Sequence, residues 1–192
     1  MRSTPATRIL ARDVIRLFVA LGLPEDIRAR LDAIAAGVPG ADWVESDNYH
    51  VTLRFVGETP EDKAEDLAYA LMAIRHKPFD IELAGVGHFK TGDEVRAVWA
   101  GVKQSDALDM LHRKVDEACR KEGFGNETHK FLPHVTLARL DNAPLGKIQD
   151  FLIENALFKA GPIRVDSFAL YSSLRRPGGA VYTEEAAFFL RD

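Results

Sequence analysis

Apolar and polar positions along this chain alternate between short continuous hydrophobic runs and stretches of helical spacing. Val14–Ala20 (VIRLFVA) is rich in β-branched and aromatic residues and reads as a strand. Pro24 then opens a helical stretch in which Glu25 and Asp26 occupy the positive N-terminal end. Ile27, Leu31 and Ile34 mark one face of it, and Gly37 stops it. Val51–Val56 predicts a second strand, and Pro60 a second helix carrying Leu67, Leu71 and Ile74 on one side. Phe79–Leu83 and Val95–Val102 read as strands flanking a glycine-rich turn at Gly85–Gly92. Ala107–Arg120 is predicted helical, with Leu108, Leu111, Val115 and Ala118 aligned and Gly123 beyond its end. His134–Leu140 follows as a strand and Leu145–Asn155 as a helix. Ile163–Tyr171 and Val181–Phe189 form a closing pair around Pro177-Gly178-Gly179.

Strands and helices mix without strict βαβ alternation, and several neighbouring strands are joined by short turns. The expected class is therefore α+β with largely antiparallel sheets. No linker or low-complexity segment interrupts the chain, so residues 14–192 are expected to form one domain. Residues 1–13 are polar and mixed, and are expected to be disordered or loosely packed.

One repeat stands out of this pattern. His50-Val51-Thr52-Leu53 and His134-Val135-Thr136-Leu137 are identical tetrapeptides, each opening an apolar strand. Side chains on a strand alternate between faces. Strict alternation sends His50, Thr52 and Arg54 one way and Val51, Leu53 and Phe55 the other. It separates His134 and Thr136 from Val135 and Leu137 likewise, and it puts Arg139 on the face opposite His134 unless the strand bulges first. Two strands with an apolar face and a His-Thr face suggest a pseudo-two-fold arrangement, both polar faces looking into a shared cleft.

Composition narrows the partners. The 192 residues carry 25 Lys and Arg against 29 Asp and Glu, a formal charge of −4, which is wrong for tracking along duplex DNA. With 46% hydrophobic and 28% charged residues the chain is ordinarily globular. The single cysteine, Cys119, cannot form an internal disulfide or a multi-cysteine zinc site. No apolar run approaches the roughly 18–20 residues that span a bilayer. Leu17–Leu23 follows four arginines but leads into Pro24-Glu25-Asp26 without a small-residue cleavage site, unlike a signal peptide. A cytoplasmic, monomeric protein without a membrane partner is expected.

Two histidines and two threonines facing one another suit phosphodiester cleavage without a metal. Breaking a P–O bond with water needs a base for the nucleophile and an acid for the departing oxygen. Two imidazoles with ordinary pKa near about 6.5 can hold opposite protonation states at neutral pH. Each threonine hydroxyl can donate to a phosphate oxygen and stabilise charge that builds in the transition state. Nothing resembles a His-Glu-x-x-His zinc motif, and His-Thr pairs offer too few good metal ligands.

With these motifs the chain resembles the two-histidine (2H) phosphoesterases, and within them the RNA 2′,3′-cyclic phosphodiesterase or 2′-5′ RNA ligase-like branch. Arg16–Ala20 is similar to that branch's opening strand, Asn48–Glu58 to its first motif, and Phe131–Arg139 to its second. Gly87-His88-Phe89 with Val98–Val102 resembles its middle hairpin, and Ala169–Ser173 with Tyr182 its ending. Gly22 departs from relatives that often carry a polar or acidic residue there. The resemblance implies a bilobal fold with two antiparallel sheets flanked by helices around a central cleft. It implies hydrolysis of an RNA-terminal 2′,3′-cyclic phosphate to a 2′-phosphomonoester, with no cofactor and no metal. His50 would be the proton donor and His134 the proton acceptor, and Thr52, Thr136 and Arg139 would bind phosphate. Substrates would be RNA 3′ ends or small nucleotides bearing a 2′,3′-cyclic phosphate. Alternatives are a 2′-5′ RNA ligase or phosphodiesterase, a small cyclic-nucleotide phosphodiesterase, and a non-catalytic RNA-end binding module.

Outside the repeat, His76, His88, His112 and His129 have no partner motif and read as surface or structural. Phe18, Tyr49 and Trp99 are candidate base-stacking surfaces, with a core position favoured for Phe18 and Trp99. Arg175-Arg176-Pro177-Gly178-Gly179 is a basic turn with two readings, a holder of RNA phosphates or a solvated hairpin tip, the second favoured. Residues 128–140 hold His129, Lys130, His134 and Arg139 and no carboxylate, whereas residues 58–66 are acidic. Positive potential is thus expected in the cleft and acidity on a helix.

Overall fold

Apolar runs and helical stripes both fold as elements, and the sheets decide which runs belong together. The computed structural model describes residues 14–127, 129–176 and 179–192, with Arg176 described by its backbone alone. The expected loose segment 1–13 and the Pro177-Gly178 turn lie outside the described residues.

In chain order the elements are β1 (Ile15–Gly22), α1 (Glu25–Asp32), β2 (Ala41–Trp43), a one-turn 3₁₀ helix (Ser46–Asn48), β3 (His50–Thr59), α2 (Glu61–Met72), β4 (Phe79–Thr91) and β5 (Glu94–Val102). There follow α3 (Asp106–Lys121), β6 (His134–Leu140), α4 (Leu145–Glu154), β7 (Lys159–Val165), β8 (Ser167–Arg176) and β9 (Gly179–Phe189). The strands form two antiparallel sheets, β3-β1-β8-β9 and β2-β6-β5-β4-β7. With four helices outside them this is the expected α+β class. No helix among the described residues is long and apolar enough to cross a membrane.

Three differences from the sequence reading have physical causes. Ile163–Tyr171 is not one strand. It divides at Asp166 into β7, which pairs with β4, and β8, which pairs with β1 and β9. Both pieces are buried in a sheet, so apolar character runs through the break and hides it. Gly85 and Gly87 lie inside β4 rather than in a turn, and the turn falls at Gly92 (φ 61°). Gly87 is there for room, because a Cβ on it would sit 2.3 Å from the Trp99 ring across the hairpin. Strand β2 was missed, since three residues cannot display a period of two.

The core lies behind the sheets. Leu17, Val19 and Leu21 of β1, Val51 and Leu53 of β3, and Val135 and Leu137 of β6 are all buried. They pack with Leu67 and Leu71 of α2 and Leu108, Leu111 and Val115 of α3 in one cluster. The opposite faces of β3 and β6 are left for chemistry, and these two strands approach each other where the sheets meet.

Candidate active site

The two motifs repeat in three dimensions, residue for residue. Gly22 of β1 lies opposite His50 of β3, and Gly101 of β5 lies opposite His134 of β6. The next pairs are Leu21 with Val51 and Ala100 with Val135, then Ala20 with Thr52 and Trp99 with Thr136. At that point both registers skip one leucine. Val19 pairs with Arg54 and Val98 with Ala138, so Leu53 and Leu137 are each the extra residue of a β-bulge.

A bulge reverses the face on which every later side chain emerges. Arg139, which strict alternation sends away from His134, is therefore exposed beside it, and it lines the same cavity as His50. The same bulge overturns two expectations for the first motif. Arg54 does not share the face of His50 and Thr52; it is turned inward and only 6% exposed. Phe55 does not join Val51 and Leu53 in the core; it is 61% exposed and lines the cavity with His50. Phe55 and Arg139 occupy equivalent positions in the two copies, five residues after each histidine.

Both imidazoles are held alike. Nδ1 of His50 lies 2.7 Å from the Asn48 carbonyl, and Nδ1 of His134 lies 2.7 Å from the Leu132 carbonyl. A carbonyl oxygen only accepts, so each Nδ1 carries the hydrogen and donates it. That leaves Nε2 of each ring as the atom that takes or gives a proton. The Asn48 side chain in turn donates to the Ala180 carbonyl at 3.0 Å, tying the approach to His50 onto β9. Aromatic rings fix the imidazole planes: Phe18 and Tyr182 lie 4.9 and 5.3 Å from His50, and Phe89 and Trp99 lie 4.8 and 5.9 Å from His134.

These surroundings lower both histidine pKa values. For His50 burial is the main cause, helped by the positive His134 and Arg139 and opposed by the Asn48 carbonyl. For His134 burial again dominates, opposed by the Leu132 carbonyl. Desolvation disfavours the imidazolium, so both rings are more readily neutral than a histidine in water.

A cavity of about 460 Å³ opens over the concave face of the β3-β1-β8-β9 sheet. Its walls include His50, Phe55, Tyr182, Arg16, Arg139 and Arg175. Among the described residues no carboxylate lines it, and His134, Thr52 and Thr136 lie outside its lining. Of the candidate stacking residues, Phe18 and Tyr49 are buried. Phe18 reaches the cavity wall and stacks on Tyr171 at 5.4 Å.

Two residues missed as site supports come from the far side of the sheet. Nδ1–H of His112 on α3 donates to the carbonyl of the bulged Leu53 at 2.9 Å, and its ring stacks on Phe131 at 3.8 Å and 4°. Arg54 pairs with Asp116 of α3 at 3.0 Å and donates to Glu127 at 2.9 Å and to the Gly125 carbonyl. Together they tie β3 to the segment that leads into β6. No periodicity signals either contact, because both join residues far apart in sequence. The carbonyl of Leu137 is satisfied differently, by the backbone N–H of Val44 at 2.9 Å.

Two sheets meeting at a paired His-x-Thr cleft define a class, and comparison with known proteins agrees. Residues 23–177 match the model of the 2′-5′ RNA ligase superfamily, and the chain belongs to that family of two-histidine phosphoesterases. Its relatives over most of its length are enzymes, as it is. An RNA 2′,3′-cyclic phosphodiesterase of Aeropyrum pernix is 39% identical over 158 residues, covering 80% of this chain and 89% of the relative. One from Archaeoglobus fulgidus is 32% identical over 177 residues, covering 91% and 99%. Among solved structures, Escherichia coli LigT complexed with 3′-AMP superposes with a TM-score of 0.75 at 26% identity, covering 93% of this chain and 99% of that one.

Proposed function

We propose that the protein hydrolyses a 2′,3′-cyclic phosphate at an RNA 3′ end to a 2′-phosphomonoester, without a metal or cofactor. The observation that carries this reading is the matched pair of imidazoles, each with Nδ1 locked on a carbonyl and Nε2 left for proton transfer. The relatives named as RNA 2′,3′-cyclic phosphodiesterases support the substrate. The cleft residues are imidazoles, hydroxyls and arginine, a set poor in metal ligands.

In this mechanism Nε2 of His134 takes a proton from water as the water oxygen attacks phosphorus. The bond from phosphorus to O3′ breaks, and Nε2 of His50 gives its proton to O3′. Thr52 and Thr136 donate to the non-bridging oxygens, and Arg139 balances the charge that gathers on them. For His50 to enter as the acid, the bound phosphate must offset the burial and the neighbouring positive charges that lower its pKa. An anion beside an imidazole does this. A second reading keeps the same direction of reaction. A 5′-hydroxyl replaces water and gives its proton to His134 as its oxygen attacks phosphorus; the P–O3′ bond breaks with His50 protonating O3′, leaving a 2′-5′ linkage. The near-identical settings of the two rings favour it, because cleavage of that linkage back to the cyclic phosphate needs the two roles exchanged. We place the protein in the cytoplasm, which its lone buried thiol supports, as a monomeric single domain spanning residues 14–192, for which one continuous core cluster is the support.

The test is turnover of nucleoside and oligonucleotide 2′,3′-cyclic phosphates in EDTA. A 2′-phosphate product is expected, and His50→Ala or His134→Ala should each lower kcat by about 10²–10⁴-fold with the fold intact by circular dichroism. Activity that appears only after adding a divalent metal refutes the mechanism, as does a near-wild-type rate in either variant. The pH profile supplies a second check. Because both pKa values are lowered in the free site, the bell of kcat/KM should centre on the acid side of about 6.5. The alkaline limb of kcat should lie higher, since the bound phosphate raises the acid's pKa. An alkaline-centred kcat/KM bell contradicts the burial argument.

A further inference from the structure

We infer that the cavity contains a second phosphate subsite, formed by Arg16 and Arg175, that grips a phosphate on the 5′ side of the reacting nucleotide. This deepens the phosphodiesterase reading and rests on it. Arg16 shares a face of β1 with Phe18, and both line the cavity with His50. Arg175 reaches it from β8, on the same face as Tyr171 and Ser173 by the period of two.

Three observations point to an anion there. First, among the described residues three arginines and no carboxylate line the cavity in a chain of net charge −4, so the positive charge there is concentrated rather than inherited from composition. Second, among the described residues Arg16, Arg139 and Arg175 enter no ion pair. They share that freedom with Arg30, Arg75, Arg113 and Arg191, but of that set only Arg16, Arg139 and Arg175 line the cavity. Unpaired guanidinium groups gathered in one cavity keep their bidentate forks for a ligand. Third, the position is wrong for the scissile phosphate. Thr52 lies opposite Ala20, and Arg16 is four residues further down β1, about 13 Å at a strand's rise per residue. The pair is therefore centred at a different level of the sheet from a phosphate held by the two threonines. Phe55, opposite Phe18, and Tyr182 lie between the two levels and present aromatic surface to the intervening nucleoside.

The chemistry recognised is therefore a substrate with at least two phosphates. The second is either an internal phosphodiester of an RNA strand or a 5′-phosphate on the terminal nucleotide. A cyclic mononucleotide with a free 5′-hydroxyl leaves the subsite unused.

The experiment measures kcat/KM for three substrates in the wild type and in the Arg16→Ala/Arg175→Ala double variant. They are a nucleoside 2′,3′-cyclic phosphate with a free 5′-hydroxyl, its 5′-phosphorylated form, and a trinucleotide ending in the cyclic phosphate. The trinucleotide should exceed the 5′-hydroxyl mononucleotide by about tenfold or more, with a salt slope steeper by about 0.7 for each added phosphate contact. The double variant should lose most of that advantage and the extra slope. A gain shared by the 5′-phosphorylated mononucleotide assigns the subsite to a 5′-phosphate, and a gain confined to the trinucleotide assigns it to an upstream phosphodiester. Equal kcat/KM and equal slopes for all three wild-type reactions overturn the inference, as does an equal loss on every substrate in the variant. Turnover of none of them refutes the hydrolytic reading instead. The subsite is then read by fluorescence anisotropy with a trinucleotide ending in a 3′-phosphate: a roughly tenfold weaker Kd in the double variant supports it, and an unchanged Kd refutes it.

Discussion

The two His-x-Thr strands are the same device with different equipment. They share their first four residues, their register against a partner strand, their bulged leucine and their imidazole-to-carbonyl anchor. They differ immediately after the bulge. The outward position is Phe55 in one copy and Arg139 in the other, and the inward position is Arg54 in one and Ala138 in the other. The shared part is what acid–base chemistry needs twice. The divergent part gives the proposed substrate site an aromatic surface on one side, Phe55, and a cation on the other, Arg139.

Support differs as well. β6 lies between β2 and β5, so its bulge finds a backbone donor in Val44. β3 is an edge strand, and the carbonyl of Leu53 is satisfied instead by a side chain, His112. An edge strand carrying a catalytic group requires bracing from outside its sheet, and α3 supplies it through His112 and Asp116.

Arg54→Ala converts the inward position of the first copy into that of the second. It leaves Glu127 without its ion-pair partner and Asp116 with Arg120 alone, and should cost about 3 kcal/mol, since removing the buried member of an ion-pair network is strongly destabilising. Urea unfolding measures this, and a loss below about 1 kcal/mol would mean that Ala138-like packing suffices at both positions. Arg139→Ala and Phe55→Ala test the outward positions. Loss of Arg139 should lower kcat/KM by about 10- to 100-fold, with kcat falling because its charge acts on the transition state. Loss of Phe55 should act through KM, by about 5- to 100-fold for a stacked base, with kcat nearly kept. The same pattern of kcat and KM in both variants would erase the proposed division of labour. The smallest effect belongs to His112→Ala, which frees the Leu53 carbonyl and should lower kcat/KM severalfold, with partial rescue by His112→Gln, an alternative N–H donor. No rescue, or no loss, would remove His112 as a positioning residue.

Much of this was legible in advance because its causes are local. Periodicity located β6 at both ends and the helices to within a few residues, and the repeat marked both histidines and both threonines. The face of Arg139 was legible only as a condition, the presence of a bulge. Arg54 and Phe55 were assigned to the wrong faces because alternation was carried through a bulge that no residue announces. Leu53 reads as an ordinary strand leucine, and only its partner strand reveals that it has no counterpart.

The sequence alone thus determined that two strands open on the same His-Val-Thr-Leu tetrapeptide and that each hides an apolar face. Those properties are carried by residue type and by periods of two and 3.6, which need no partner. Tertiary structure decided which side chains join the histidines, which arginine is buried and which is free, and where the cavity's cations gather. Those outcomes depend on register, on bulges and on contacts between distant segments, quantities that arise only when two strands meet.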